Sequence, residues 1–413
     1  MIARLSAAFA LTAGLLVVPA QPASAALPTA AVALGDSFIS GEGAGGYQPV
    51  VDLDGVAQGF PGWTAPNSNA YFCHRSANAS ISVASLPGIQ DRFNLACSGG
   101  RPADLTAPSS SRDHGRSVAA QLDQLRAVAQ THDIDLVLVG LGSNNSSFTF
   151  GDVASKCANR FIADAWTGWW EFWAYLNGPV PQSPCTVTDL ATAQQFAAAT
   201  AETTAAVRQL LTTLDQVDAD HQHRVVFQDY TNPLPLDLDP AYWEADGRQD
   251  DRDKFRELGA VRYAAGCPIH RASLAAGHQF SQGLGTLVST VRDTVAVEFP
   301  GADLVFLDVQ HAFDGARLCE HPGSPAGALA TPIRLQDGPT PNGVFVTSLA
   351  GKDKIAIQRI ANTCATYFQT CQESWHPTAA GQGVLATCLT AAAGTTARAV
   401  TCARRPDGTI ATG

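Results

Sequence analysis

Cationic side chains are scarce in this chain. Lys and Arg total 26 against 37 Asp and Glu, a formal charge of −11. Such a surface repels polyanions, so nucleic-acid partners are excluded. Metal-binding patterns are missing too. No CxxC and no HExxH occurs, so no metal and no cofactor is expected. Beyond the first 25 residues no apolar run reaches membrane-spanning length, so no integral membrane segment is expected once they are removed. Internal repeats and long Pro/Gly/Ser linkers are also absent. Residues 26–413 therefore read as a single domain.

What is present begins with an export leader at 1–25. Arg4 precedes an apolar stretch over 7–18, and Pro19, Gln21 and Pro22 break it before Ala23-Ser24-Ala25, a small-x-small cleavage site. Losing Arg4 leaves the mature chain still more acidic. Ten cysteines, an even number behind a leader, favour disulfides and a secreted, extracellular protein. Pairing between chain neighbours is expected, with Cys364 and Cys371 closing the shortest loop. The sequence gives no oligomeric state.

Short apolar runs at 31–34, 136–141, 225–227 and 304–309, with a weaker one at 93–96, read as buried parallel strands. Helical spacing covers 117–129, 191–214, 272–299 (with Gly283 and Gly285 as candidate breakers) and 377–393, where Pro377 suits a first helical turn. Strands alternating with helices imply an α/β fold with a parallel sheet covered on both faces. Two stretches interrupt the alternation as loop insertions. One, near 150–185, holds Trp166, Trp169, Trp170 and Trp173 between Cys157 and Cys185. The other, near 230–270, is charged and contains proline.

Ser37, in Gly35-Asp36-Ser37, follows the first strand. A serine there is either a helix cap or a nucleophile at the ligand-binding edge of the sheet. A serine nucleophile needs a base. His376 stands just before the last helix, with Glu373 three residues upstream. Acyl transfer also needs donors for the developing oxyanion. Gly99 follows the 93–96 strand, and Asn144 follows the 136–141 strand. In a parallel sheet these strand ends share one edge with Ser37.

Gly35-Asp36-Ser37, Gly99, Gly142-Ser143-Asn144-Asn145 and Glu373-Ser374-Trp375-His376-Pro377 resemble, in order, the four blocks of the SGNH hydrolases, or GDSL-type lipases and esterases. Phe313-Asp314-Gly315-Ala316-Arg317-Leu318-Cys319 is similar to a segment of secreted actinobacterial members. The resemblance implies a three-layer αβα, flavodoxin-like fold with about five parallel strands in the order 2-1-3-4-5. It implies Ser37 as nucleophile, His376 as base, and Gly99 and Asn144 as oxyanion donors. Glu373 stands where the family more often has Asp. The orienter of His376 is thus either Glu373 or a main-chain carbonyl. Asn145, in place of the usual Asp, is expected to be structural. The implied activity is carboxylic-ester hydrolysis, with a lipid, carbohydrate or other small-molecule ester as substrate. Carbohydrate-ester deacetylation on the same machinery, and a non-catalytic binding protein of the same fold, are the alternatives. No Gly-x-Ser-x-Gly elbow occurs, which counts against an α/β-hydrolase.

Overall fold

The computed structural model describes residues 26–48, 73–110, 117–153, 156–157, 160, 184–217, 222–236, 269–317 and 376–413. The leader at 1–25, the four tryptophans of the first insertion, Glu373 and the Cys364/Cys371 pair lie outside the described residues, as does most of the second insertion.

Seven strands build one sheet. They are β1 (Thr29–Gly35), β2 (Asp91–Asn94), β3 (Asp133–Gly140), β4 (Arg224–Gln228), β5 (Asp303–His311), β6 (Ala399–Arg404) and β7 (Ile410–Thr412). Their order is β2-β1-β3-β4-β5-β6-β7. Every neighbouring pair is parallel except β6 with β7. The expected 2-1-3-4-5 order is therefore present and continues by two strands. Those two escaped the sequence reading because β6 alternates exposed and buried residues. It is not the unbroken apolar run of a strand covered on both faces. β1 is such a run: Ala30, Ala31, Val32, Ala33 and Leu34 are fully buried. Each side chain of Val or Leu size buried this way contributes roughly 2 kcal/mol.

The main helices are α1 (Ser37–Ser40), α2 (Gln121–Ala129), α3 (Ala193–Val217), α4 (Leu274–Glu298) and α5 (Ala379–Gly394). α2 starts later than its apolar spacing suggested, because Ser117–Val118 pairs instead with Ser109–Ser110 in a short ladder. α4 is unbroken. Its glycines serve packing: a Cβ on Gly283 would meet the Phe196 ring at 2.5 Å, and one on Gly285 would meet Asp229 Oδ2 at 2.9 Å. Pro377 lies before α5 rather than in its first turn. Thr378 takes the cap, its Oγ1 accepting from Gly381 N–H at 3.2 Å.

Among the described residues three disulfides join chain neighbours, as expected: Cys73–Cys97, Cys157–Cys185 and Cys388–Cys402. Such bridges persist in oxidising compartments. Among the described residues no helix is long and apolar enough to cross a membrane.

Candidate active site

The chain leaves β1 between β2 on one side and β3 on the other. This switch point is where open α/β sheets bind ligands. Gly35 ends the strand at φ +142°, and a Cβ there would fall 2.1 Å from the Gly140 carbonyl oxygen. Only glycine fits that approach. The next residue, Asp36, caps α1, its Oδ1 accepting from Phe38 N–H at 3.1 Å. Asp36 thus takes the capping role that Ser37 might have had. Ser37 enters the helix one residue later, 4% exposed, with Oγ 2.7 Å from His376 Nε2.

His376 is itself buried, 339 residues away in sequence. Its ring lies against Phe38 and Phe150, at centroid distances of 4.9 and 5.6 Å. Gln382 ties α5 to the turn that carries Ser37. Its Nε2 donates to Phe38 O at 3.0 Å, and its Oε1 accepts from Ser80 N–H at 2.8 Å.

Two loops flank Ser37. In the loop after β2, Cys97 N–H donates to Gly35 O at 3.1 Å. A Cβ on Gly100 would sit 2.7 Å from that same carbonyl. Gly99, at φ +71°, therefore lies in a loop packed against the turn that carries Ser37. In the loop after β3, Asn144 Oδ1 accepts from Phe150 N–H at 3.3 Å, which leaves its Nδ2 as the donor end. Gly140 pairs with Gly35 across the two strands, so Asn144 and Ser37 leave the same sheet edge. Asn145 closes its own loop: Oδ1 accepts from Ser147 and Phe148 N–H at 2.7 and 3.0 Å.

Several residues at the site carried no sequence signal. Ser143 Oγ and Tyr230 OH both donate to Asp36 Oδ2, each at 2.6 Å. Ser143 falls at the block position where any residue is tolerated, and Tyr230 opens the second insertion. Burial raises the Asp36 carboxyl to about 6, against the opposing pull of these hydrogen bonds. Burial, then the nearby Asp36 charge, pushes Tyr230 well above its ordinary value. Glu42 and His74 form a buried pair, Nδ1 to Oε2 at 2.6 Å. Neither Glu42 nor His74 stands in a segment that the sequence singles out for its own chemistry.

No family model matches the chain, and no curated protein matches it. Solved structures do. An extracellular lipase from Streptomyces rimosus shares 21% identity at a TM-score of 0.40, covering 88% of this chain and 99% of its own. A phospholipase A1 from Streptomyces albidoflavus NA297 shares 18% at 0.41, covering 89% and 100%. A carbohydrate acetylesterase from Sinorhizobium meliloti shares 13% at 0.28, covering 82% and 100%. At such scores the likenesses assign no role to any residue here.

Proposed function

We propose that this chain is a secreted serine hydrolase of carboxylic esters, of the SGNH kind, formed by residues 26–413 after loss of the leader. The observation that carries the reading is the 2.7 Å contact between Ser37 Oγ and His376 Nε2, at the carboxyl end of β1. His376 takes the Ser37 proton as Oγ attacks the ester carbonyl. The oxyanion is held by Ser37 N–H, Gly99 N–H and the Asn144 amide. The proton then passes to the leaving alcohol, and water releases the acyl group by the same route. Either Glu373 or a nearby main-chain carbonyl accepts from the far ring nitrogen of His376 and holds its tautomer. Asp36 acts through structure: it caps α1 and anchors Ser143. The three disulfides support export to an oxidising compartment.

The test is Ser37→Ala. The wild-type protein should hydrolyse short p-nitrophenyl esters and take a fluorophosphonate label on Ser37. The variant should do neither while keeping its melting temperature within a few degrees. Undiminished hydrolysis by the variant would sink the assignment.

A further inference from the structure

Asn144 can serve an oxyanion only if its amide keeps a fixed distance and direction from Ser37. Phe150 N–H holds one end of that side chain. The backbone just before it is held by other segments. Ser143, the preceding residue, is fully buried. Its N–H donates to Tyr230 OH at 3.1 Å, and its Oγ donates to Asp36 Oδ2 at 2.6 Å.

The Tyr230 hydroxyl closes this set of contacts. It accepts the Ser143 N–H and gives its one proton to the same Asp36 oxygen, at 2.6 Å. Asp36 stands immediately before Ser37. Its N–H donates to Gly140 O at 3.1 Å, and its other carboxylate oxygen caps α1. One carboxylate therefore joins the turn that carries Ser37 to the loop that carries Asn144, and the phenol spans both. The phenol is itself fastened. Its ring is buried and meets Phe38 edge-on at 5.0 Å. Asp229, the residue before it, is tied to β5: its N–H donates to Leu307 O at 3.1 Å, and its Oδ1 accepts from Val309 N–H at 2.7 Å. Buried networks whose members are satisfied in this way are rigid.

We propose that the buried Asp36–Ser143–Tyr230 network sets the Asn144 amide relative to Ser37, with Tyr230 as a positioning residue of the oxyanion hole. This rests on the serine-esterase reading above. Removing the phenol oxygen takes away the acceptor of the buried Ser143 N–H. An unmet buried donor is costly, so the loop must shift to satisfy it. A displacement of about 1 Å at a catalytic group can cost up to about a hundredfold in rate. The carboxyl of Asp36 is held at about 6, so at pH 8 it is ionised and accepts from both hydroxyls.

The test is a double-mutant cycle on the hydrolysis of p-nitrophenyl butyrate at pH 8, with Tyr230→Phe and Asn144→Ala made singly and together. Tyr230→Phe keeps the ring against Phe38 and removes only the hydroxyl. Alone it should lower kcat by about tenfold with KM nearly unchanged, as when a transition-state contact is weakened. Once Asn144 is alanine there is no amide left to aim, so adding Tyr230→Phe should cost less than about twofold. A general loosening of the fold would cost the same factor in both backgrounds. Equal factors, or a Tyr230→Phe kcat like that of wild type, overturn the proposal and leave the esterase reading standing. A wild type that neither hydrolyses nor labels at Ser37 overturns both. Should Tyr230→Phe not fold, Ser143→Ala carries the same cycle, since it cuts the other tie to Asp36. A loss that shrinks in the Asn144→Ala background supports the network, and one that does not shrink overturns it.

Discussion

Asn144 is where a single side chain most directly meets the proposed chemistry. Its Oδ1 is occupied by Phe150 N–H, so the amide end has a fixed direction before any substrate binds. Preorganised donors of this sort are worth roughly 3–4 kcal/mol to an oxyanion. Asn144→Ala is therefore expected to lose on the order of a hundredfold in turnover while remaining folded. Steady-state kinetics beside a thermal melt would check it, and wild-type turnover would remove Asn144 from the mechanism. Phe150 matters for the same reason: its backbone aims the amide, and its ring packs on His376. At this scale the neighbouring Asn145 is scaffolding, since both ends of its amide are spent on its own loop.

The turn between β1 and α1 depends on glycine geometry. Gly35 combines a positive φ with an approach to Gly140 that leaves no room for a methyl group. The Gln121 side chain then locks the position from the start of α2. Its Oε1 accepts from Gly35 N–H at 2.8 Å, and its Nε2 donates to Gly35 O at 2.9 Å. Gly35→Ala is expected to cost about 3 kcal/mol or more, from backbone strain and overpacking together. A urea titration would register it as a lowered midpoint, and an unchanged midpoint would refute the packing argument. Gly283 and Gly285 follow a related logic in α4. They looked like breakers in the sequence, yet the helix runs through them, because Phe196 and Asp229 occupy the space their side chains would need.

Across the whole molecule, buried acids set how stability varies with pH. Burial holds Asp36 and Asp104 at about 6, and it raises Asp229 well above its ordinary value. The folded protein therefore retains protons that the unfolded chain releases above about pH 4. Their stabilising contribution is complete below 3.8 and is lost as the pH rises through about 6. His278, lowered chiefly by burial, opposes this as a single part-exposed ring. Glu42, held low, withdraws its contribution only in stronger acid. The urea midpoint is thus expected to be higher at pH 5 than at pH 8. Asp36→Asn should flatten that slope, whatever it does to the absolute level. A midpoint that climbs steadily from pH 5 to 8 would contradict the assignment of these acids.

Local patterns in the sequence carried the parallel strands β1, β3, β4 and β5 and the long helices, because a strand buried on both faces must be an apolar run and a packed helix must repeat its apolar residues; the half-exposed edge strand β2 lies at Asp91–Asn94, only partly overlapping the 93–96 run. The sequence also pointed to Ser37, Gly99, Asn144 and His376, since each stands in a short segment beside a strand or helix end. It was silent on β6, whose residues alternate between exposed and buried, and on β7, three residues long with none buried, because neither is an apolar run. Only the tertiary structure decided that Asp36, and not Ser37, caps α1. Only it brought Ser143, Tyr230, Glu42 and His74 to the site. Those side chains act through contacts that the sheet order creates between distant segments, and a contact spanning 194 residues, like that of Tyr230 with Asp36, leaves no periodicity in the chain. The physical reason is the same for the central pair: His376 reaches Ser37 because the fold, not the spacing, closes the distance.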